Sequence, residues 1–306
     1  MIGLPGRSHR GPLPPLTSEQ IALRERLRRH VHVLASDIGE RNLERHGSLD
    51  RASAYIEEQF SSAGYTPGAQ EYRVRGQAVR NIDAHRNSPG ESSLLIGAHY
   101  DSVAGCPGAN DNASGVAAVL ELARMFSEHA GAHALRFVAF VNEEPPFFMT
   151  EAMGSLVYAR RCRARGERIA GMFSLETIGY YSSVPGSQQY PGPAVFHRLY
   201  PDTGNFIGFV ANVASRTLMR NAGRAFRRHA QFPSEGAAAP ADIPGVGWSD
   251  HWSFWQEGYP AVMLTDTAPY RYPHYHRPTD TPDKLDYDSL ARVVSACKEM
   301  IAALAQ

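Results

Sequence analysis

The chain has 306 residues, of which 43% are hydrophobic and 20% are charged, and 31 Lys and Arg residues balance 31 Asp and Glu residues. This composition is typical of a globular protein with a sizeable core, and the zero net charge does not indicate nucleic acid as a partner. The scattered cysteines Cys106, Cys162 and Cys297 are too few for a disulfide framework or a cysteine metal site.

The N-terminal part predicts an arm followed by helices and short strands. Residues 1–16 are rich in Pro and Gly and are predicted to form a flexible arm ahead of a single domain, 17–306. Thr17-Ser18-Glu19-Gln20 is typical of a capping box, and the amphipathic run behind it predicts a helix to about residue 35. The next predicted elements are a helix over 49–63 and strands at 71–75 and 79–85.

From residue 93 onward, apolar strands alternate with amphipathic helices. Continuous apolar runs such as 93–98 are typical of buried parallel strands, and the alternation indicates βαβ units around a parallel sheet. Residues 230–249, rich in Gly, Ala and Pro, are predicted to form a long loop that walls a pocket. The strands are predicted at 93–98, 135–141, 169–175, 206–212 and 261–265. The helices are predicted at 114–127, 155–165, 215–229 and 287–304.

No run of 18 apolar residues occurs, so the sequence predicts no membrane-spanning helix. Residues 1–7 lack the apolar core of a secretory signal. The expected location is therefore the cytoplasm, and a processed start would instead indicate a periplasmic or secreted protein.

Acidic and imidazole side chains follow three successive predicted strands. His99 closes the first strand, Glu143 and Glu144 follow the second, and Glu176 closes the third. The carboxyl ends of parallel strands are where open α/β sheets place their sites. The sequence therefore predicts that these four side chains form one cluster.

Two loops carry further candidates. Asp111 lies just before the predicted helix at 114–127, where it either caps that helix or holds a cation beside His99. His276 lies in a loop rich in His, Pro and Tyr, and His274 and His251 are equally eligible as ligands from the residues alone. The sequence leaves both choices open.

Imidazole and carboxylate ligands suit zinc or a similar divalent ion. Of the adjacent acids Glu143 and Glu144, one can bind metal while the other accepts a proton. Asp101 is placed to orient the His99 ring through its other nitrogen, and Asp280 is a candidate for the same role at His276.

The sequence resembles the co-catalytic zinc aminopeptidases of the bacterial leucyl-aminopeptidase type, whose relatives include glutamate carboxypeptidases and glutaminyl cyclases. The resemblance runs from about residue 46 to the C-terminus. The motifs that carry it, in chain order, are Gly97-Ala98-His99-Tyr100-Asp101-Ser102, Gly108-Ala109-Asn110-Asp111-Asn112-Ala113-Ser114-Gly115, Asn142-Glu143-Glu144 and His276-Arg277-Pro278-Thr279-Asp280-Thr281.

The resemblance implies a three-layer α/β/α fold with a mixed, largely parallel sheet, and two Zn²⁺ ions, with Co²⁺ or Mn²⁺ as substitutes. It assigns Asp111 as the bridge between the metals and Glu143 as general base. It completes the first metal site with His99 and Glu176 and the second with Glu144 and His276. The family often has Asp at the position of Glu176. It also implies a cis peptide bond after Asp111.

The implied reaction is hydrolysis of N-terminal residues from peptides by a metal-bridging water and Glu143. The alternatives are a glutaminyl cyclase-like transferase with one zinc, a carboxypeptidase or dipeptidase, and a non-catalytic binding protein. A carboxypeptidase would need a cationic clamp, for which Arg271 and Arg277 are candidates. A pocket for apolar side chains would draw on the aromatic residues Trp248, Trp252, Phe254, Trp255, Tyr270 and Tyr272. The sequence gives no oligomeric state.

Overall fold

A computed structural model describes residues 3–85, 92–128, 132–191 and 199–306. Within them, eight strands form one mixed sheet in the order β1-β2-β4-β3-β5-β8-β6-β7. The strands are β1 (Gly68–Val74), β2 (Gln77–His85), β3 (Ser92–His99), β4 (Ala134–Phe140), β5 (Arg168–Glu176), β6 (Ile207–Asn212), β7 (Ser234–Ala239) and β8 (Ala261–Thr265). The helices are α1 (Ser18–His32), α2 (Ser48–Ser62), α3 (Gly115–Met125), α4 (Gly154–Ala164), α5 (Arg216–His229), α6 (His251–Gln256) and α7 (Tyr287–Leu304).

Strand direction divides the sheet into a parallel centre and antiparallel flanks. Strands β4, β3, β5 and β8 run parallel to their neighbours within this group. On one side β2 pairs with β4 antiparallel, and on the other side β6 pairs with β8 antiparallel. The predicted α/β class with a mixed, largely parallel sheet is confirmed.

Hydrophobic side chains on both faces of the sheet explain its three layers. Along β3, Leu94 and Ile96 belong to the larger core cluster, which also contains buried residues of α1, α3 and α7. Leu95, between them, belongs to a second cluster with Tyr158 of α4 and Phe254 of α6. Successive side chains of a strand point to opposite faces, so the sheet is covered by helices on both sides.

The capping box that the sequence predicts at Thr17 is present. The Thr17 hydroxyl accepts a hydrogen bond from the Gln20 backbone N–H, and the Gln20 side chain accepts one from the Thr17 N–H. Helix α1 is followed by a π-helical turn at Val33–Ile38. The predicted strand at 261–265 and the predicted helix at 287–304 match β8 and α7 residue for residue.

The prediction of an unbroken loop over 230–249 was wrong, because β7 occupies Ser234–Ala239 and pairs in parallel with β6. The segment Ser-Glu-Gly-Ala-Ala-Ala has no β-branched or aromatic residue, so its pairing with β6 overrides a weak local preference. The short helix α6 was also absent from the predicted elements.

Residues 3–16 contain no helix or strand. The first of them, at 3–8, lie against α5 and β7, and the Pro14 carbonyl oxygen accepts a hydrogen bond from Arg292 of α7. Leu4 occupies the space beside Gly223 and Gly236, where added Cβ atoms would lie 2.4 Å and 2.5 Å from its side chain. Arg227 donates hydrogen bonds to the carbonyl oxygens of Leu4 and Gly6. The flexibility of the arm stays a prediction. Among the described residues, no helix combines the length and apolarity of a membrane span.

Candidate metal centre

The predicted ligands meet at the carboxyl edge of the parallel strands. His99 is the last residue of β3 and Glu176 the last of β5, while Glu143 and Glu144 follow β4 closely. Because β4, β3 and β5 are parallel neighbours, their carboxyl ends lie side by side. All four side chains are at least nine-tenths buried.

Asp111 lies between two histidines. Its Oδ1 is 3.3 Å from His99 Nε2, and its Oδ2 is 3.1 Å from His276 Nε2. The two oxygens of one carboxylate therefore face two different imidazoles. This is the arrangement that a carboxylate shared by two cations requires.

Each histidine also faces a second carboxylate. His99 Nε2 is 3.3 Å from Glu176 Oε2, and His276 Nε2 is 3.2 Å from Glu144 Oε2. Potential ligand atoms of His99, Asp111 and Glu176 all lie within 4.8 Å of one another, and so do those of Asp111, Glu144 and His276. The structure thus brings all five predicted ligands into two triads that share Asp111.

The charges of the cluster call for cations. Burial, with the neighbouring carboxylates, raises the pKa of Glu143 well above its usual range and that of Glu144 to about 7. Burial also raises the pKa of Glu176. The Nε2 atom of His99 is buried and has no hydrogen-bond partner among the described residues. Zn²⁺ takes imidazole and carboxylate ligands and would relieve both conditions, so the residues fit this metal.

The surroundings of His276 favour its charged form, whereas those of Glu143, Glu144 and Glu176 favour their neutral forms. Burial disfavours its charged form, but the carboxylates of Asp111 and Glu144 outweigh burial and raise its pKa to about 10. In turn, His276 and His99 hold the pKa of Asp111 below its usual range despite burial. These shifts express the mutual attraction that a metal ion would replace.

Asp101 positions the acids after β4 as well as the ring of His99. Its Oδ1 accepts a hydrogen bond from the Glu143 N–H at 3.1 Å, and its Oδ2 accepts one from the Glu144 N–H at 3.0 Å. The Nδ1 atom of His99 lies 3.5 Å from Asp101 Oδ1 and 3.2 Å from the Asp101 carbonyl oxygen. One side chain thus connects β3 to the loop after β4.

The loop that carries Asp111 is held by Asp280. The Asp280 carboxylate accepts hydrogen bonds from the N–H groups of Asn110 at 2.9 Å and Asp111 at 3.1 Å, and from the Tyr272 hydroxyl at 2.8 Å. The expectation that Asp280 orients the His276 ring is therefore corrected. The peptide bond between Asp111 and Asn112 is cis, as the resemblance implies.

Arg41 and Ser249 support the centre, although no sequence motif predicts a role for either. Arg41 is fully buried and donates to the carbonyl oxygens of Tyr100 at 2.7 Å and Gly108 at 2.9 Å, on either side of the His99 and Asp111 segments. Ser249 donates to Glu176 Oε2 at 2.8 Å. Ser249 lies two residues before His251.

The other candidate histidines do not join the cluster. His251 is buried in α6, where its Nε2 lies 2.8 Å from the Val246 carbonyl oxygen, and burial lowers its pKa to about 4. His274 contacts the Thr279 hydroxyl at 2.9 Å. All three cysteines are buried and free.

A cleft with an empty volume of about 940 Å³, part of it open solvent, is lined by Glu176, by Tyr275 and by residues of the segment 243–248. Of the aromatic residues predicted for a specificity pocket, Trp248 and Tyr270 line it, with ring centroids 6.5 Å apart. Phe254 and Tyr272 are core residues instead. The predicted loop therefore does wall a pocket beside the candidate metal centre.

Comparison with known proteins identifies relatives of the chain. The sequence model of the family described as peptidase family M28 matches residues 81–301. The uncharacterized protein YfbL of Escherichia coli (strain K12) is 40% identical over 88% of this chain and 85% of its own length. A probable leucine aminopeptidase 1 of Trichophyton verrucosum is 24% identical over 78% of this chain and 63% of its own length. The chain thus spans less than two thirds of that fungal relative.

Solved structures share the fold at low sequence identity. A zinc aminopeptidase from Bacillus subtilis superposes with a TM-score of 0.71 at 14% identity, over 92% of this chain and 94% of the other. The glutaminyl cyclase of Fimbriiglobus ruber superposes with a TM-score of 0.65 at 19% identity, over 96% of this chain and 98% of the other. Both similarities establish the three-layer α/β/α fold.

Proposed function

Because the chain belongs to peptidase family M28 and is a metallo-exopeptidase, we propose that it is an aminopeptidase with two zinc ions. One observation carries the proposal: the two carboxylate oxygens of Asp111 face His99 and His276 at 3.3 Å and 3.1 Å. His99, Asp111 and Glu176 would hold one ion, and Asp111, Glu144 and His276 the other.

Glu143 is the proposed general base. When bound, two zinc ions supply the acidification of a water molecule and the polarisation of the scissile carbonyl. Glu143 Oε2 lies 3.7 Å from His99 Nε2, and its backbone N–H is fixed by Asp101. Burial raises the pKa of Glu143, which suits a group that takes a proton from water and returns it to the leaving amine.

Attack from the amino terminus is favoured by the residues around the cleft. A carboxypeptidase needs a free cation for the terminal carboxylate. Arg271 is buried and donates to Gln188 at 2.8 Å and to the Phe206 carbonyl oxygen at 2.8 Å. Neither Arg271 nor the exposed Arg277 is among the described residues that line the cleft. Glu176 lines the cleft, and its carboxylate can also face the free amine of a peptide. We therefore assign the cleft to the N-terminal residue of the substrate.

A glutaminyl cyclase-like transferase with one zinc is the second candidate, since glutaminyl cyclases share this fold. It requires a single metal site, which Asp111, Glu144 and His276 could form. The triad of His99, Asp111 and Glu176 favours the peptidase, because a single-zinc enzyme has no use for a second complete ligand set.

A peptide panel tests the proposal. The zinc-loaded protein is incubated with matched peptides that have a free N-terminus, an acetylated N-terminus or an N-terminal Gln, and the products are identified by mass spectrometry. We expect stepwise release of N-terminal residues from the free peptides alone. Cleavage of acetylated peptides from the C-terminus, or cyclisation of Gln without hydrolysis, would overturn the proposal.

A further inference from the structure

One row of residues runs across the sheet from the metal centre to its edge. Glu176 of β5 pairs with Thr265 of β8, Thr265 pairs with Gly208 of β6, and Gly208 pairs with Glu235 of β7. Residues directly opposite one another on neighbouring strands place their side chains on the same face. Two carboxylates, Glu176 and Glu235, therefore stand on one face of the sheet at the two ends of this row.

The residues in the middle of the row have small side chains or none, which leaves space for the cleft between the two glutamates. Gly208 has no side chain, and a Cβ atom there would lie 3.4 Å from Thr267 Cγ2. Thr265 and Gly208 both line the cleft, together with Glu176 and Glu235. Among its described lining residues, these two glutamates are the charged ones. The apolar walls come from residues such as Val210, Ile243, Val246, Trp248 and Met263.

The carboxylate of Glu235 can accept further hydrogen bonds from a ligand. Its nearest cation is Arg227, at 3.7 Å, which is longer than a hydrogen bond. Arg227 instead donates to Ser234 Oγ at 3.0 Å and to the Gly6 carbonyl oxygen at 2.8 Å. The Glu235 side chain is 25% exposed. Burial raises its pKa, while Arg227, a hydrogen bond from the Ser8 side chain and the charge of Arg10 oppose that rise.

We propose that this cleft receives the side chain of an N-terminal lysine or arginine, with Glu235 as the counter-ion at its far end. The inference rests on the proposed aminopeptidase function and adds a substrate class to it. Apolar walls suit the methylene stem of such a side chain, and a partly desolvated carboxylate suits its charged end. It replaces the apolar preference that the aromatic residues alone suggest.

The length of the row fits this substrate. Three strand spacings put the Cα atoms of Glu176 and Glu235 roughly 14 Å apart. An extended lysine side chain spans about 6 Å of this distance, and a hydrogen bond adds about 3 Å. Among substrate side chains, those of lysine and arginine therefore extend farthest along the row toward Glu235, whereas those of alanine and valine stay near the metal centre.

The experiment compares lysyl and norleucyl p-nitroanilides, which have the same four-carbon stem with and without the ammonium group. For the zinc-loaded wild-type protein we expect kcat/KM to be at least tenfold higher for the lysyl substrate. In Glu235→Gln, this ratio should fall at least tenfold, because a charge-assisted hydrogen bond is lost. Zinc content and the thermal midpoint are measured for both proteins.

The outcomes separate the two levels of the proposal. Efficient cleavage of both anilides with a wild-type ratio near one would overturn the assignment of Glu235 and leave the aminopeptidase standing. So would an equal fall for both substrates in Glu235→Gln, which indicates a structural role. Failure of the wild-type protein on every free-amine substrate would instead overturn the proposed function. The wild-type ratio is decisive even where the variant does not fold.

Discussion

The carboxyl edge of the central strands has a polar half and an apolar half. At β4, β3 and β5 it carries the proposed metal ligands, each fixed by hydrogen bonds or by facing charges. At β8, β6 and β7 it carries the cleft, with small or apolar residues and one glutamate at the far end. One edge thus provides the proposed chemistry in one half and the proposed selectivity in the other.

Strand direction explains the difference. In the polar half the strands are parallel, so residues at their carboxyl ends meet. β6 and β7 run the opposite way to β8. Gly208, near the amino end of β6, therefore lies beside Thr265 at the end of β8, and Glu235, near the amino end of β7, lies beside Gly208. Where strand direction changes within a sheet, a site at one edge is built from the carboxyl ends of some strands and the amino ends of others.

Removing the proposed base should have the largest effect and should affect the polar half alone. In Glu143→Gln, we expect kcat to fall by about a thousandfold, since general-base catalysis contributes roughly 10² to 10⁴. Zinc content should stay at the wild-type level, because Glu143 is not assigned as a ligand. Kinetics and elemental analysis of the same preparation check this. Loss of a zinc ion in the variant would make Glu143 a ligand.

The next effect concerns stability, through a histidine on the cleft side. Burial lowers the pKa of His251 to about 4 from 6.5, so the unfolded state binds its proton more readily than the folded state. The neutral His251 therefore contributes about 3 kcal/mol to the free energy of unfolding, and this contribution is complete above pH 6.5 and is lost as the pH falls toward 4.

Denaturant unfolding at pH 7 and pH 4.5 checks this for wild type and His251→Gln at equal zinc loading. The unfolding free energy of the wild type should decrease more steeply than that of the variant. Equal pH dependence in the two proteins would show that His251 is not held neutral in the folded state.

The smallest effect is expected in the cleft wall. Trp248 is 43% exposed, so Trp248→Ala should lower kcat/KM roughly three- to tenfold, mainly by raising KM, through the loss of apolar contact. The control is Ile21→Ala, an equally exposed residue on α1, which should change nothing. A fall in kcat or in zinc content for Trp248→Ala would show that the two halves are not separable.

The polar half was predictable because its signals are local. Apolar runs locate β3, β4 and β5, and His99 and Glu176 occur where those runs end. Only the family resemblance selects His276 over His251 and His274, because the sequence pattern around the three histidines gives no reason to prefer one of them as a metal ligand. The facing of His276 toward Asp111 and Glu144 is what separates them.

The apolar half could not be predicted in the same way. β7 lacks the residues typical of strands, and it pairs with β6 although 21 residues separate Asn212 from Ser234 in the chain. Because no strand is predicted at Glu235, the sequence alone does not place this residue on the same face of the sheet as Glu176. Arg41, which braces the loops around the centre by donating to backbone carbonyl oxygens, likewise depends entirely on tertiary contacts.

The number of zinc ions per chain tests the central claim most directly. The metal-free protein is titrated with zinc, and bound metal is measured for the wild type, His276→Ala and the matched control His274→Ala. We expect two ions in the wild type and the control, and one tightly bound ion in His276→Ala, since His99, Asp111 and Glu176 remain. A single ion in the wild type, or equal loss in both variants, would contradict the two-metal centre.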